Sequence, residues 1–330
     1  MRSWPIRDFA KTSLFNLIVH QIARTDPELL PATATVVDAV RQAQISAAHK
    51  REILDFVWRR AGPEKLLSIG QDIGEVGYDP IWHAAVRSVS PAVFFDKWQR
   101  FEVFAHSNNR LRIDQSCQNQ ASFHRYTVDG GTPTPPENLL ICGLTIAILE
   151  EIGCHGLRCQ MTLDDGTAHH IRRDGRFFIP DDGQGMKTGA WTIRWRRFSP
   201  RDRMTASVGD IPGFTSRRLC DSVAGNSIEP VVRLLMSDVG RQWKVGELAG
   251  EAGLSTRSLQ RRLTEAGLNF SRLVRLVRIH EACHLLKDSE APITAIGFCA
   301  GFEDSSQFSR DFRATVGMTP SNYRTVLGSG

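Results

Sequence analysis

Residues 254–270 read LSTRSLQRRLTEAGLNF. On a helix, Arg257, Gln260, Arg261 and Thr264 stand at i, i+3, i+4 and i+7, which is one face, while Leu259 and Leu263 mark another. One side is made for burial and the other offers hydrogen-bond donors to something outside the chain. A polar helix face is usually only a solvated surface, so its surroundings must decide what it is for.

Upstream, KVGELAGEAGLSTRSLQRRL places Leu248-Ala249 four residues before Gly253, with Leu254 after the glycine. Downstream, PITAIGFCAGFEDSSQFSRDF places Ile296-Gly297 four before Gly301, with Phe302 after it. A small residue lets two helices approach, a glycine makes the turn, and an apolar residue seats the second helix, which is the order a helix-turn-helix needs. Ser255 caps the second helix of the first unit, and Asp304 or Ser305 caps that of the second. The second unit has a turn one residue longer, because its buried pair is Phe308 and Phe312. Its outward face is Ser306, Ser309, Arg310 and Arg313, with Gln307 at the margin. Between the units, FSRLVRLVRIHEACHLLKDS carries an apolar stripe of Leu273, Leu276, Val277, Cys283 and Leu286 that fits one continuous helix. A helix of that length spans about 30 Å, and major-groove faces recur about every 34 Å along one side of B-DNA. Two readers joined by such a rod match neighbouring groove segments, so the outward faces are expected to meet double-stranded DNA.

Residues from about 228 to 324 resemble the DNA-binding domain of the AraC/XylS family of bacterial transcription regulators. ITAIGFCAGFEDSSQFSRDFRATVGMTPSNYR follows the family signature at Gly301-Phe302, Ser309-Arg310, Phe312, Gly317, Pro320 and Tyr323-Arg324. The resemblance implies seven helices in two helix-turn-helix subdomains joined by a long helix. It puts base reading on Arg257, Gln260 and Arg261 in the first unit and on Ser305, Ser306, Ser309 and Arg310 in the second, with Thr256, Thr264 and Arg313 completing the DNA-binding set. Arginine suits guanine and glutamine suits adenine, whereas the serines are less discriminating and can contact phosphate. Two positions depart from the family pattern. Gly297 stands where alanine is usual, which is expected to loosen its helix, and Arg262 occupies a position that is often apolar. RSLQRRL and the long N-terminal region further resemble the branch that includes ornithine-utilisation regulators, whose N-terminal domain senses a small molecule. Activation by RNA polymerase recruitment, a small-molecule effector and homodimerisation are implications of this resemblance.

The 330-residue length favours two domains. We expect an effector-sensing and dimerisation domain over 1–210, a linker at 211–221 in the Gly-, Pro- and Ser-rich RDRMTASVGDIPGFTSR region, and a DNA-binding domain over 222–327. The net charge of +5 permits a polyanionic partner without demanding one. Residues 230–327 hold thirteen Lys/Arg against ten Asp/Glu, so affinity is expected from placed arginines rather than bulk charge. Seven irregularly spaced cysteines do not make a disulfide framework, which favours a reducing, cytoplasmic setting. Neither a signal peptide nor a membrane span is expected.

The first 200 residues read as α/β or α+β, ahead of the all-α C-terminal domain. Helices are expected at about Phe9–Arg24, Thr35–Trp58 with a break, Glu64–Asp72, 91–106 and Glu137–Ile152. Strands are expected at LRIDQS, SFHRYTV, LRCQMTL, AHHIRRD and WTIRWRRF, and IPDDGQGMKTGA reads as a surface loop. Cys154, His155, Cys159, His169 and His170 lack the tight CxxC pair of a zinc site, so no metal or cofactor is expected. Cys142 in NLLICGLTIAILEEIG is more pointed. Strand–Cys–Gly–helix is the outline of a nucleophile elbow, which would make the N-terminal region a cysteine-dependent amidotransferase- or hydrolase-like domain. The same stretch reads as one amphipathic helix, with Leu140, Leu144, Ile148 and Ile152 at i, i+4 spacing and Cys142 buried, which is the preferred reading, so no enzyme is expected. Phe94, Phe95, Trp98 and Phe101 are read as core rather than an effector pocket, Trp191 and Trp195 as core or interface on one strand face. Arg194, Arg196 and Arg197 are either an anion site or a solvated edge.

Overall fold

A computed structural model describes residues 8–31, 34, 44–71, 73, 80–183, 185–200, 228–289 and 291–328. The chain forms two compact units, Met1–Val86 with Ser90–Arg201, and Asp202–Gly330 with Arg87–Val89. The expected linker at 211–221 and the first six residues of the expected C-terminal domain lie outside the described residues, as does 35–43 of the expected Thr35–Trp58 helix.

The first unit is built on a six-stranded sheet in the order β3-β4-β9-β6-β7-β8, formed by β3 (Asn109–Cys117), β4 (Gln120–Thr127), β6 (Arg158–Leu163), β7 (Ala168–Arg173), β8 (Arg176–Phe177) and β9 (Met186–Arg194). Every pairing in it is antiparallel, which makes the unit α+β. Its inner face is Leu111, Ile113, Phe123, Cys159, Met161, Trp191 and Ile193, all buried at alternate positions. Short pairs β1 (Phe9–Lys11) with β2 (Gln44–Ser46) and β5 (Cys154–His155) with β10 (Arg197–Phe198) complete the strands among the described residues.

Among the described residues, five helices accompany the sheet: α1 (Thr12–Thr25), α2 (Ala47–Ser68), α3 (Pro80–Val86), α4 (Pro91–Ala105) and α5 (Pro135–Ile152). Helix α5 packs on the sheet at β9 and against α2, so it is buried from Pro136 to Leu149 on every side rather than along the expected stripe. Phe94, Phe95, Trp98 and Phe101 on α4 are buried as expected for core. Phe95 meets Phe123 edge-on at 5.7 Å, and Phe123 stacks on Trp191 at 5.7 Å.

Three expectations need correction. The helix expected from Phe9 begins at Thr12, because Phe9–Lys11 is taken into β1 by pairing with Ser46–Gln44. The expected surface loop IPDDGQGMKTGA is shorter than read, since Met186–Ala190 belongs to β9 and is held there by pairing with β6 and β4. Trp195 does not share a strand with Trp191; β9 ends at Arg194, and Trp195 is buried one residue beyond it. Helix α3 was not expected at all. Helix α2 is two helical pieces, 47–61 and 64–68, meeting at Gly62-Pro63, where Gly62 takes the non-helical φ +77° and ψ 177°; the break falls between the expected Trp58 and Glu64 ends.

The second unit is all helix among the described residues: α6 (Glu229–Ser237), α7 (Val245–Glu251), α8 (Thr256–Glu265), α9 (Phe270–Asp288), α10 (Ile293–Cys299), α11 (Ser305–Val316) and α12 (Pro320–Gly328). Val231, Val232, Leu235, Leu248, Leu259, Leu263 and Leu273 form the core of its first half. Phe302, Phe308 and Phe312 anchor the second half, with Phe302–Phe308 centroids 5.1 Å apart and Phe312 edge-on to Tyr323 at 5.5 Å.

Candidate nucleic-acid interface

Both helix-turn-helix turns close in the same way. The Leu254 N–H donates to the Ala249 carbonyl at 2.8 Å, and the Phe302 N–H donates to the Gly297 carbonyl at 3.0 Å. Gly253 and Gly301 take φ +68° and +88°, the left-handed region that closes a helix for glycine without steric cost. Ser255 Oγ then accepts from the Ser258 N–H at 3.1 Å, and Asp304 Oδ1 from the Gln307 N–H at 2.6 Å. Helix α8 starts three residues after its turn glycine and α11 four residues after, so the second turn is one residue longer, as the spacing of the buried pairs implied.

This geometry puts Leu259 and Leu263 inward on α8, with Thr256, Arg257, Gln260, Arg261 and Thr264 all exposed on the other side. On α11, Phe308 and Phe312 point inward, Ser306, Arg310 and Arg313 are exposed, and Ser305 and Ser309 are half-buried. Arg257 and Arg310 have no ion-pair partner among the described residues. Arg261 lies 3.8 Å from Glu265, both largely exposed, a pairing too weak to hold the guanidinium back. Thr264 Oγ1 donates to the Gln260 carbonyl at 2.9 Å, so an outside partner finds it chiefly as an acceptor. Arg262 is half-buried. The two helices are carried by the 19-residue α9, whose N-cap Asn269 accepts from the Arg272 N–H at 2.9 Å.

Gly297 is matched to its neighbour rather than a defect. A Cβ there would lie 2.7 Å from Phe308 Cδ1 and 2.9 Å from Cγ. Gly297→Ala is therefore expected to destabilise the C-terminal unit even though alanine gains about 1 kcal/mol of helix propensity, because overpacking costs about 1–3 kcal/mol. Calorimetry should show a midpoint lower by a few degrees, and adding Phe308→Leu should recover it. A raised midpoint for the single variant would refute the tight-packing account.

In the first unit, Cys142 is no elbow nucleophile. It lies inside the continuous helix α5, has no exposed surface, and sits 3.8 Å from the Cys159 sulfur. Burial pushes its thiol pKa well up, against the thiolate that nucleophilic chemistry requires. The glycine that completed the elbow pattern has another cause: a Cβ on Gly143 would fall 2.1 Å from the Leu67 carbonyl oxygen, so it is the close approach of α2 to α5 that demands glycine. Cys154 and Cys159 are buried while His155 and His170 are exposed, and no three His, Cys, Asp or Glu side chains converge as metal ligands among the described residues. Arg194, Arg196 and Arg197 are exposed, with Arg194 bonded to Gln120. No described helix is long and apolar enough to cross a membrane.

Sequence reading missed a buried charge cluster beneath α5. Glu137, 2% exposed, accepts from Lys50 Nζ at 2.7 Å and from Asn109 Nδ2 at 3.2 Å through Oε1, and from the Thr134 N–H at 3.2 Å through Oε2. His106 Nδ1 accepts from the Asn108 and Asn109 N–H groups, leaving Nε2 toward Glu137 at 3.7 Å. Glu102 is bonded to Arg125 at 3.2 Å nearby. The sequence signal for Glu137 was present in its place after TPTPP, but it marked only a helix start.

Residues 248–325 match the family profile described as "Helix-turn-helix domain". The HTH-type transcriptional activator FapR of Escherichia coli is 33% identical over 112 residues, 34% of this chain and 43% of its own length. The TCP pilus virulence regulatory protein of Vibrio cholerae is 30% identical over 102 residues, 31% of this chain and 37% of its own. The ornithine utilization regulator of Pseudomonas aeruginosa is 36% identical over 94 residues, 28% of each. The chain thus spans less than half the length of these relatives. Among solved structures, an AraC-type regulator from Chromobacterium violaceum is 25% identical, covering 30% of this chain and 88% of that one at a TM-score of 0.29. The regulator CdpR of Pseudomonas aeruginosa aligns over 95% of this chain and 96% of its own, with 17% identity and a TM-score of 0.31. Both TM-scores are too low for the overlays to bear on function.

Proposed function

We propose that this chain, whose C-terminal unit carries an AraC-type helix-turn-helix domain, is a sequence-specific DNA-binding transcription regulator. The observation that carries the reading is the pair of exposed polar faces on α8 and α11, each backed by a buried apolar pair and joined by one 19-residue helix. At 1.5 Å per residue α9 is about 28 Å long, close to the roughly 34 Å between successive major-groove faces.

Arg257, Gln260 and Arg261 are the first reader, with Thr256 and Thr264 at its ends. Arg310 leads the second, with Ser306 beside it, Arg313 on the phosphate backbone, and the half-buried Ser305 and Ser309 at the margin. The DNA-binding domain runs from 222 to 327, the linker from 211 to 221, and residues 1–210 sense a small molecule and pair two copies of the chain. Effector binding shifts the sensor between states that favour or disfavour productive DNA contact. Activation is the mode that the activators among its relatives suggest, and recruitment of RNA polymerase in the cytoplasm is the proposed route to it.

A protection footprint on DNA upstream of the protein's own gene and its neighbours tests this. Two protected major-groove segments about one turn apart are expected. Arg257→Ala should abolish one and Arg310→Ala the other, each weakening affinity about ten- to hundredfold, as loss of one good base contact does. Affinity should also fall steeply with salt. Binding that ignores both substitutions would mean the arginine faces are surface only.

A further inference from the structure

The two helix-turn-helix halves of the C-terminal unit touch at a second place besides α9. Gln242, in the loop between α6 and α7, donates from Nε2 to the Gly301 carbonyl at 3.0 Å, which is the turn glycine of the second half. Its Oε1 accepts from the Arg278 guanidinium, on α9, at 2.9 Å. A Cβ on Gly301 would lie 2.5 Å from the Val239 carbonyl oxygen and 2.8 Å from Arg278 Nε, so the 239–242 loop and the 299–302 turn meet backbone on backbone. Arg275, one turn back on α9, reaches Asp311 of α11 at 3.3 Å. The second reading helix is thereby tied to the rod, and its turn is tied to the first half.

We infer that the Arg278–Gln242–Gly301 latch sets the angle and phase between α8 and α11, and so selects the spacing between the two DNA half-sites. The inference rests on the DNA-reading proposal above. A rod with a turn at each end leaves each small subdomain free to swivel about it, and two hydrogen bonds onto a tight backbone contact remove that freedom. Adding or deleting one base pair between half-sites rotates one of them by about 35° around the duplex, since B-DNA repeats every 10–10.5 base pairs. A latched protein must break the latch to follow, whereas an unlatched one need not. Gln242 and Arg278 are half-buried and lie on neither reading face, so they act as positioning residues rather than base readers.

The test uses the full chain with the duplex identified by footprinting and versions carrying one base pair more or fewer between the protected segments. Gln242→Ala should bind the native duplex within about threefold of wild type. Its preference for native over altered spacing should shrink about three- to tenfold, the scale of one or two net hydrogen bonds. Gln242→Glu keeps the acceptor for Arg278 but turns a carboxylate toward the Gly301 carbonyl, so it should relax spacing like alanine while preserving side-chain bulk. Without DNA, amide exchange should quicken in both 239–242 and 299–302 in either variant. An unchanged spacing preference together with unchanged exchange would overturn the latch. Faster exchange with unchanged spacing would overturn its role in site selection. A wild-type chain that protects no DNA would overturn the DNA-reading proposal, and the spacing role with it, even where exchange upholds the latch.

Discussion

Glu137→Gln is expected to destabilise the N-terminal unit by about 3–5 kcal/mol, the scale of removing one member of a buried ion pair. Lys50 is 3% exposed and its ammonium lies 2.7 Å from the Glu137 carboxylate, so the variant strands a cation away from water. Burial already pushes Lys50's pKa down, and only the charge and hydrogen bond of Glu137 oppose that. For Glu137, burial alone would raise the pKa. The His106 ring 3.7 Å away, together with the charge and hydrogen bond of Lys50, outweighs it and holds the carboxyl well below the ordinary 4.5. The sign of the pH effect follows. A carboxylate with a depressed folded pKa contributes stability that is fully present above about 4.5 and lost as pH falls toward the folded value. Calorimetric stability of the first unit should therefore drop in acid for wild type and drop less for Glu137→Gln. The double variant Lys50→Met, Glu137→Gln should recover most of the loss at neutral pH, because it removes the stranded charge while the amide can still accept from Thr134. A single variant as stable as wild type would show that Lys50 reaches water and that the pair is not a buried one.

The C-terminal half was legible because its signals are local. The turn glycines, the caps and the leucine or phenylalanine pairs of each helix-turn-helix lie within about twenty residues of one another, and each requirement is met by neighbours in sequence. The exposed faces were legible for the same reason, since helical period alone separates Arg257 from Leu259. The latch was not, because Gln242 and Gly301 are 59 residues apart and nothing about either residue type announces the other. In the N-terminal half the strand segments 111–116, 122–127, 158–163 and 168–173 could be read from alternation. Phe9–Lys11 becomes a strand only by pairing with residues 44–46, and Met186–Ala190 only by pairing across the sheet. Tertiary pairing overrides local pattern at both places. Cys142-Gly143 admitted two readings, of which the preferred buried helix is the one observed; glycine satisfies a tight turn and a close helix crossing equally well, and sequence cannot tell which constraint it answers. Charge burial was the least legible feature, because Lys50 and Glu137 look like surface residues until α2 and α5 bring them together.

His280 should make the C-terminal unit lose on the order of 3 kcal/mol between pH 6.5 and about 4. The ring is 4% exposed on α9, and burial, with His284 edge-on at 4.7 Å adding to it, pushes its pKa from the ordinary 6.5 down to about 4. Above pH 6.5 the ring is neutral in the folded and unfolded chain alike, so pH does not act through it. Between 6.5 and about 4 the unfolded chain takes up a proton that the folded one refuses, and stability falls as pH falls. Below about 4 both states hold the proton and the slope ends. Most of this window lies above the ordinary range of carboxylate titration, so ion pairs such as Arg275–Asp311 are still charged while the loss develops. Chemical denaturation of wild type and His280→Leu at pH 7, 6 and 5 separates the two contributions. The leucine variant should lose little over that range while wild type weakens steadily. Parallel curves would mean that a protonated His280 is accommodated, and the buried stripe of α9 would then have to open to water near its middle. Because α9 is the rod on which both proposed readers depend, the same acidification should also weaken DNA affinity in wild type more than in His280→Leu.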